Sequence, residues 1–253
     1  MKLDLSNKLA LVTGAGGELG RVITRTLGSC GADVAIHYRN NKDMALQLMA
    51  ELKAMGRRAM IVQADVTDEG SVRQMQQQVA RELGDPQIIV TNAVVQYTWT
   101  SVLEQAPEDY ASQFDSCVLH NVLMAQAFVP AMVRSKWGRV IGINTECSMQ
   151  CHPHQSAYVS GKRGMDGVLR VLAKEVGRHQ ITVNQVAPGW MISDKSRSDR
   201  SESQPSYEKS VPLARRGQDQ DIANAVAFLA SDLASFITGV YLPVCGGNVM
   251  PGI

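Results

Sequence analysis

Short runs of β-branched and apolar residues alternate with longer stretches of helical spacing along the whole chain. That alternation limits the possible folds more than any other feature. Residues 8–13, 33–38, 59–64, 87–91, 138–145, 181–187 and 240–244 read as seven strands. Helical patterns fall between them at 19–30, 44–55, 69–83, 107–135, 156–178 and 218–231. Strands separated by helices and apolar on both sides are buried on both faces, which requires a parallel sheet with right-handed crossovers. The expected fold is α/β: a single doubly wound, Rossmann-type domain over 1–253, with a seven-stranded parallel sheet and helices on both faces.

The first strand runs into Thr13-Gly14-Ala15-Gly16-Gly17-Glu18-Leu19-Gly20 and then a helix. Glycines at such a turn let the backbone approach a pyrophosphate at the helix N-terminus, the favoured reading over a plain tight turn. Leu19 holds the third glycine position of the common G-x-G-x-x-G, and Gly20 follows one residue later. Tyr158 and Lys162, four residues apart, share a helix face. A phenol ionises near ~10, and a nearby cation lowers that value, which suits general acid–base work.

Composition narrows the partners. Net charge is +1, with 45% hydrophobic and 19% charged residues. This balance argues against disorder and supplies no electrostatic footprint for nucleic acid or an acidic membrane. No stretch reads as a membrane span, and the first residues lack an apolar signal core. Five irregularly spaced cysteines fit a reducing cytoplasm better than a disulfide framework.

Taken in order, the motifs make the chain resemble the classical short-chain dehydrogenase/reductases over essentially its whole length. Thr13-Gly14 and Leu19-Gly20 look like the ends of the T-G-x-x-x-G-x-G loop. Asp65-Val66 matches the acidic pair at adenine, Asn92-Ala93 the middle of N-N-A-G, and Asn121 the helix asparagine. Tyr158 and Lys162 match Y-x-x-x-K, Pro188-Gly189 the P-G over nicotinamide, and Thr238-Gly239 and Gly246-Gly247 the C-terminal pairs. The resemblance implies an NAD(P)(H)-dependent oxidoreductase with Asn121, Thr145, Tyr158 and Lys162 as its catalytic set. Tyr158 would exchange a proton with the substrate oxygen, and Lys162 would lower the phenol pKa and hold the nicotinamide ribose. Thr145 would fix the substrate oxygen, and Asn121 would position a water behind Lys162. The implied cofactor contacts are Gly14, Gly16, Gly17, Leu19, Gly20, Asp65, Val66, Asn92, Tyr158, Lys162, Pro188, Gly189 and Ser193. A homotetramer is the family expectation, built on the helices at 107–135 and 156–178 and the last strand.

Several positions depart from that pattern. Glu18 replaces the second loop glycine and brings a carboxylate toward the pyrophosphate. Thr91 and Val94 replace the outer residues of N-N-A-G, Thr145 replaces serine, and Cys245 takes an aspartate place. Together they leave open a second reading, a catalytically weak relative acting as a nucleotide-binding or interaction protein.

Cofactor choice rests on the end of the second strand. No acidic residue precedes Asp43 there to bind ribose hydroxyls, whereas Arg39 suits a 2′-phosphate. NADP(H) is therefore preferred, with NAD(H) left open. Residues 190–216 read as a substrate lid, including a Ser-, Arg- and Asp-rich loop at 193–204 and Trp190, Met191, Arg197 and Arg200. The cluster of Cys147, Cys151, His152 and His154 is disfavoured as a metal site, and Met149, His152 and His154 read instead as candidate pocket walls. Leu213-Ala-Arg-Arg-Gly217 and Phe228-Leu-Ala-Ser-Asp232 are similar to 3-oxoacyl-acyl carrier protein reductases. That likeness implies a small carbonyl or alcohol substrate, a 3-oxoacyl thioester among them. An acyl carrier protein would then be a partner, met by Lys136, Arg178 and His179.

Overall fold

The computed structural model describes residues 3–193, 197–198 and 201–252. Seven strands form one parallel sheet: β1 (Leu9–Val12), β2 (Asp33–Tyr38), β3 (Ala59–Gln63), β4 (Ile88–Thr91), β5 (Gly138–Ile143), β6 (Ile181–Pro188) and β9 (Tyr241–Val244). Their spatial order is β3-β2-β1-β4-β5-β6-β9. Chain direction across the sheet reverses between β1 and β4, and ligands bind such sheets beyond the carboxyl ends at that switch point.

The strands alternate their allegiance residue by residue. Ala10, Val12, Val34, Ile36, Ile88 and Val90 pack under α1 (Glu18–Ser29), α2 (Lys42–Ala54) and α9 (Asp219–Ala230). Leu9, Leu11, Ala35 and Ile89 face the other way, toward α3 (Glu69–Glu82), α5 (His120–Ser135) and α7 (Ser156–Val176). A period of two with both faces apolar is what a sheet covered on two sides demands. Helix starts are fixed locally. Asn41 accepts from the Met44 amide at 3.1 Å and Asp68 from the Ser71 amide at 2.7 Å, while Gln218 and Asp221 form a reciprocal capping box on α9.

The structure corrects some expectations. The 107–135 helix is not regular: α4 (Pro107–Gln113) passes through a π-helical turn (Phe114–Leu119) into α5. This helix is also long and apolar enough to cross a membrane, contrary to the sequence reading. Its inner face explains that composition, because Cys117, Met124, Phe128 and Met132 are core residues. The fifth strand ends at Ile143, so Thr145 stands just beyond it. Unforeseen small elements surround that end: α6 (Cys147–Gln150), α8 (Pro205–Ser210), and β7 (Met191–Ile192) paired with β8 (Gly217–Gln218). Arg200 and part of the 193–204 loop lie outside the described residues.

Candidate active site

A crevice of about 790 Å³ opens at the switch point. Its floor is the glycine loop, held to β4 by reciprocal bonds. Thr13 Oγ1 accepts from the Asn92 and Ala93 amides at 2.9 and 3.1 Å, and Asn92 Nδ2 donates to the carbonyls of Thr13 and Gly14. Gly14 sits at φ +62°, and a Cβ on Gly20 would stand 2.2 Å from the Gly14 carbonyl oxygen. Only glycine satisfies both demands. Glu18 is exposed at the first position of α1, where its charge favours the helix but lines the crevice.

The side of the crevice at β2 holds a buried histidine. His37 Nδ1 accepts from the Gly14 amide at 3.0 Å, and its Nε2 donates to the Ala64 carbonyl at 3.1 Å. Accepting at Nδ1 needs the neutral ring, and burial lowers the His37 pKa accordingly. Arg39 lines the same side, with Nη2 2.9 Å from Asp65 Oδ2. Burial raises the Asp65 pKa, but hydrogen bonds from Thr67 and the Arg39 charge outweigh it, so the net shift is downward.

At the far end stand Thr145, Tyr158 and Lys162. Tyr158 belongs to the first turn of α7, and its otherwise orphan amide donates to Tyr97 Oη at 2.8 Å. Thr145 is fixed by its neighbours: Tyr241 Oη donates to its carbonyl at 2.5 Å, and Asn144 Oδ1 accepts from its amide at 2.8 Å. Asn144 Nδ2 in turn bonds Gln185 Oε1 at 2.6 Å, and Gln185 Nε2 bonds Asp166 Oδ1 of α7 at 2.7 Å. Lys162 is buried, donates to the Ile143 carbonyl at 2.6 Å, and lies 5.8 Å from the centre of the Tyr158 ring. Desolvation lowers the Lys162 pKa. Desolvation and nearby thiols push the Tyr158 phenol above its ordinary value, only partly offset by the Thr145 hydroxyl. The expectation that Lys162 lowers the phenol is therefore not met by the chain alone, because burial outweighs a cation engaged elsewhere.

A second cavity of about 640 Å³ adjoins the first, and Gln96, Thr145, Tyr158 and Gly189 line both. The crevice itself gathers Gly14, Gly17, Leu19, Gly20, Arg39, Asp65, Val66, Asn92, Thr145, Tyr158, Lys162, Pro188 and Gly189. It does not gather the other three expected residues. Gly16 faces Met44 of α2, and Ser193 follows β7 outside the lining. Asn121 ties the π-helical turn to β4, its Nδ2 donating to the Cys117 carbonyl at 2.7 Å and its Oδ1 accepting from Thr91 at 2.6 Å. His37, Tyr97, Asn144, Glu146, Tyr207 and Tyr241 were missed in the sequence, where no local pattern marks them. Cys147 and His152 line the second cavity, and no group of three metal-ligating side chains occurs among the described residues.

Known proteins share this fold. The family profile described as Enoyl-(Acyl carrier protein) reductase matches residues 14–248. The 3-oxoacyl-[acyl-carrier-protein] reductase of Staphylococcus epidermidis is 36% identical over 245 residues, 96% of this chain and 100% of the relative. That of Pseudomonas aeruginosa is 34% identical over 249 residues, 98% and 100% of the two chains. A blue fluorescent protein from a metagenomic library, solved in complex with NADPH, has a TM-score of 0.89 at 31% identity, covering 98% of this chain and 100% of its own. LugOII, a promiscuous reductase that catalyses keto-reduction at C1 during lugdunomycin biosynthesis, has a TM-score of 0.88 at 29% identity, covering 97% and 99%. The chain belongs to the classical short-chain dehydrogenase/reductase family. Within it, the sequence is 3-oxoacyl-[acyl-carrier-protein] reductase-like.

Below the crevice, His120 is fully enclosed. Its Nδ1 donates to the Ser116 carbonyl at 3.2 Å, and burial takes its pKa down to about 3 despite hydrogen bonds to the Ser116 and Ala93 backbone. A histidine with a depressed folded pKa leaves stability intact above the unfolded value near 6.5 and erodes it as pH falls below that. By pH 5.5 the loss is about 1.4 kcal/mol for such a group. Thermal melts from pH 7 to 5.5 are expected to fall more steeply in the unmodified protein than in His120→Gln. Parallel curves would refute the assignment.

Proposed function

We propose that this chain is an NADP(H)-dependent oxidoreductase that moves hydride between nicotinamide and a carbonyl or secondary alcohol, working chiefly as a carbonyl reductase. The observation that carries this reading is the junction of two cavities at Thr145 and Tyr158. Hydride transfer needs cofactor and carbonyl on either side of one wall, with a proton donor in that wall. The larger crevice suits a dinucleotide. Gly14 and Gly20 permit close backbone approach at the start of α1, Asp65 and Val66 suit the adenine, and Arg39 suits a 2′-phosphate. Bound nicotinamide supplies or accepts the hydride.

The chain's own groups do the rest. Thr145 orients the substrate oxygen, and Tyr158 gives that oxygen its phenolic proton as negative charge develops. In reverse, Tyr158 takes the proton from the alcohol. Burial keeps the phenol protonated, which favours the donor role. Lys162 has N–H groups beyond the one on Ile143 with which to hold a ribose hydroxyl.

A 3-oxoacyl thioester is the substrate suggested by the relatives' names, with an acyl carrier protein as partner. Lys136, Arg178 and His179 precede β5 and β6 at their N-terminal ends, so on one chain they do not flank the pocket mouth. The apolar groove of Val122, Val129, Val133, Val168 and Val171 on α5 and α7 supports a homotetramer through those helices. Five free thiols suit the cytoplasm. The rival reading, a weak enzyme that binds nucleotide or a partner, draws on Glu18. Its carboxylate, at the first position of α1 and in the crevice lining, would repel a bound phosphate, an effect that salt screens.

Nucleotide titrations followed by nicotinamide fluorescence test the cofactor assignment. NADPH is expected to bind about tenfold or more tighter than NADH, and Arg39→Ala to weaken NADPH by roughly 10–100-fold with little effect on NADH. Equal losses would remove Arg39 from the 2′-phosphate. Glu18→Gln is expected to tighten NADPH about fivefold at low salt, with the gain fading as salt screens the charge; no gain would clear Glu18. If neither nucleotide binds, the interaction reading takes over.

Turnover tests the chemistry. Tyr158→Phe is expected to lower kcat by about 10²–10⁴ while NADPH still binds. Because the phenol pKa is raised, reduction should stay level across neutral pH, whereas alcohol oxidation should climb with pH and not level off below about pH 9. An oxidation plateau near neutrality would show the phenol depressed in the working complex.

A further inference from the structure

The second cavity has a wall chemistry of its own. Trp99 is 44% exposed and stacks on the Tyr158 ring, with centroids 5.9 Å apart and planes 25° from parallel. Trp190 is 49% exposed yet firmly held. Its ring meets Tyr207 edge-on at 5.6 Å, its amide donates to Tyr207 Oη at 2.8 Å, and the Arg216 guanidinium covers it at 4.7 Å. Indoles fixed in place but left exposed within a pocket offer flat apolar faces at little ordering cost.

Glu146 supplies the polar part. It is 4% exposed, directly follows Thr145, and accepts from Tyr207 Oη at 2.9 Å and Asn248 Nδ2 at 3.1 Å. The Trp190 amide adds a third hydrogen bond; a carboxylate has about four acceptor sites, so Glu146 can still accept from a ligand. No Lys or Arg stands among the described residues of this wall. Arg216 lies behind the Trp190 ring with its guanidinium bonded to backbone carbonyls, so an anionic substrate would meet the buried carboxylate with no cation lining the cavity to compensate it.

We propose that the second cavity selects a flat ring ketone without negative charge, its ring lying against Trp99 and Trp190 and a hydroxyl or amine donor reaching Glu146. This rests on the carbonyl-reduction reading and names its substrate class. A linear acyl thioester uses neither the indole faces nor the carboxylate.

The test compares three probes with NADPH: a hydroxyl-substituted 1-tetralone, its carboxylate-substituted counterpart, and an acetoacetyl thioester of N-acetylcysteamine. The hydroxy-tetralone is expected to show kcat/KM at least about tenfold above the other two. Trp99→Leu is expected to lower the ratio of hydroxy-tetralone to thioester kcat/KM about fivefold or more. Glu146→Gln is expected to narrow the discrimination between hydroxyl and carboxylate rings. A preference for the thioester, or a ratio unmoved by Trp99→Leu, overturns the proposal and leaves Trp99 as a support for Tyr158. Binding is read separately in Tyr158→Phe, where the hydroxy-tetralone should quench tryptophan emission and do so less in Tyr158→Phe/Trp99→Leu. Quenching without turnover of any probe by the unmodified protein sinks the reduction reading but keeps the ring pocket. Absence of quenching sinks the pocket.

Discussion

The site depends first on the tie between Thr13 and Asn92 across the switch point. Four hydrogen bonds join the C-terminal ends of β1 and β4, where the sheet's direction of growth reverses. Thr13 is fully buried, so its hydroxyl works away from water, where bonds are stronger and their loss dearer. The Gly14 carbonyl lies where any side chain on Gly20 would strike it. The start of α1 is therefore set by the same tie. His37 adds a third anchor by receiving the Gly14 amide, and the crevice inherits its shape from these constraints rather than from the loop's own stiffness.

A comparable network fixes the chemical end. Thr145, Tyr158 and Lys162 come from the segment after β5 and from α7, so their spacing is a matter of packing, not of one helix. Asp166, Gln185 and Asn144 form a polar chain from α7 through β6 to the residue before Thr145. Asn144 Nδ2 also reaches the Lys162 carbonyl at 3.3 Å, so the segment after β5 and α7 are joined twice. The π-helical turn serves the same end, presenting the Cys117 carbonyl to Asn121 while Thr91 holds the other side of that amide. Threonine here replaces the first asparagine of N-N-A-G, and its hydroxyl supplies the brace.

The sheet was legible in the sequence because burial on both faces makes most positions of each strand apolar or β-branched, and each run was found within a residue or two. The glycine loop and Tyr158 with Lys162 were legible for another reason: their constraints are local, in backbone angles and a helical repeat. What stayed hidden was every contact made across long sequence distances. Tyr97 caps a helix 61 residues away, Tyr241 holds a carbonyl 96 residues away, and Tyr207 reaches Glu146 over 61. Nothing beside those tyrosines in the chain announces the partner. The electrostatics were misread on the same account. Spacing showed that a cation could approach the phenol, but the Ile143 carbonyl that occupies the ammonium lies on another element.

Glu146 shows how much that hidden layer carries. An apolar residue there would pack without desolvation cost, whereas a buried carboxylate needs both of its donors to be tolerated. Those donors come from α8 and from the segment after β9, so the charge ties late elements of the chain to the segment after β5. Burial raises the Glu146 pKa, with hydrogen bonds from Tyr207, Asn248 and the Trp190 amide and the His152 charge opposing it. Such a group is costly as mere scaffolding, since Tyr207 and Asn248 would be held as well by neutral acceptors. Its position one residue from Thr145, in a wall with two exposed indoles, ties that cost to what the cavity admits. The proposed substrate choice and one tie from the C-terminal elements to the segment after β5 thus meet in one side chain.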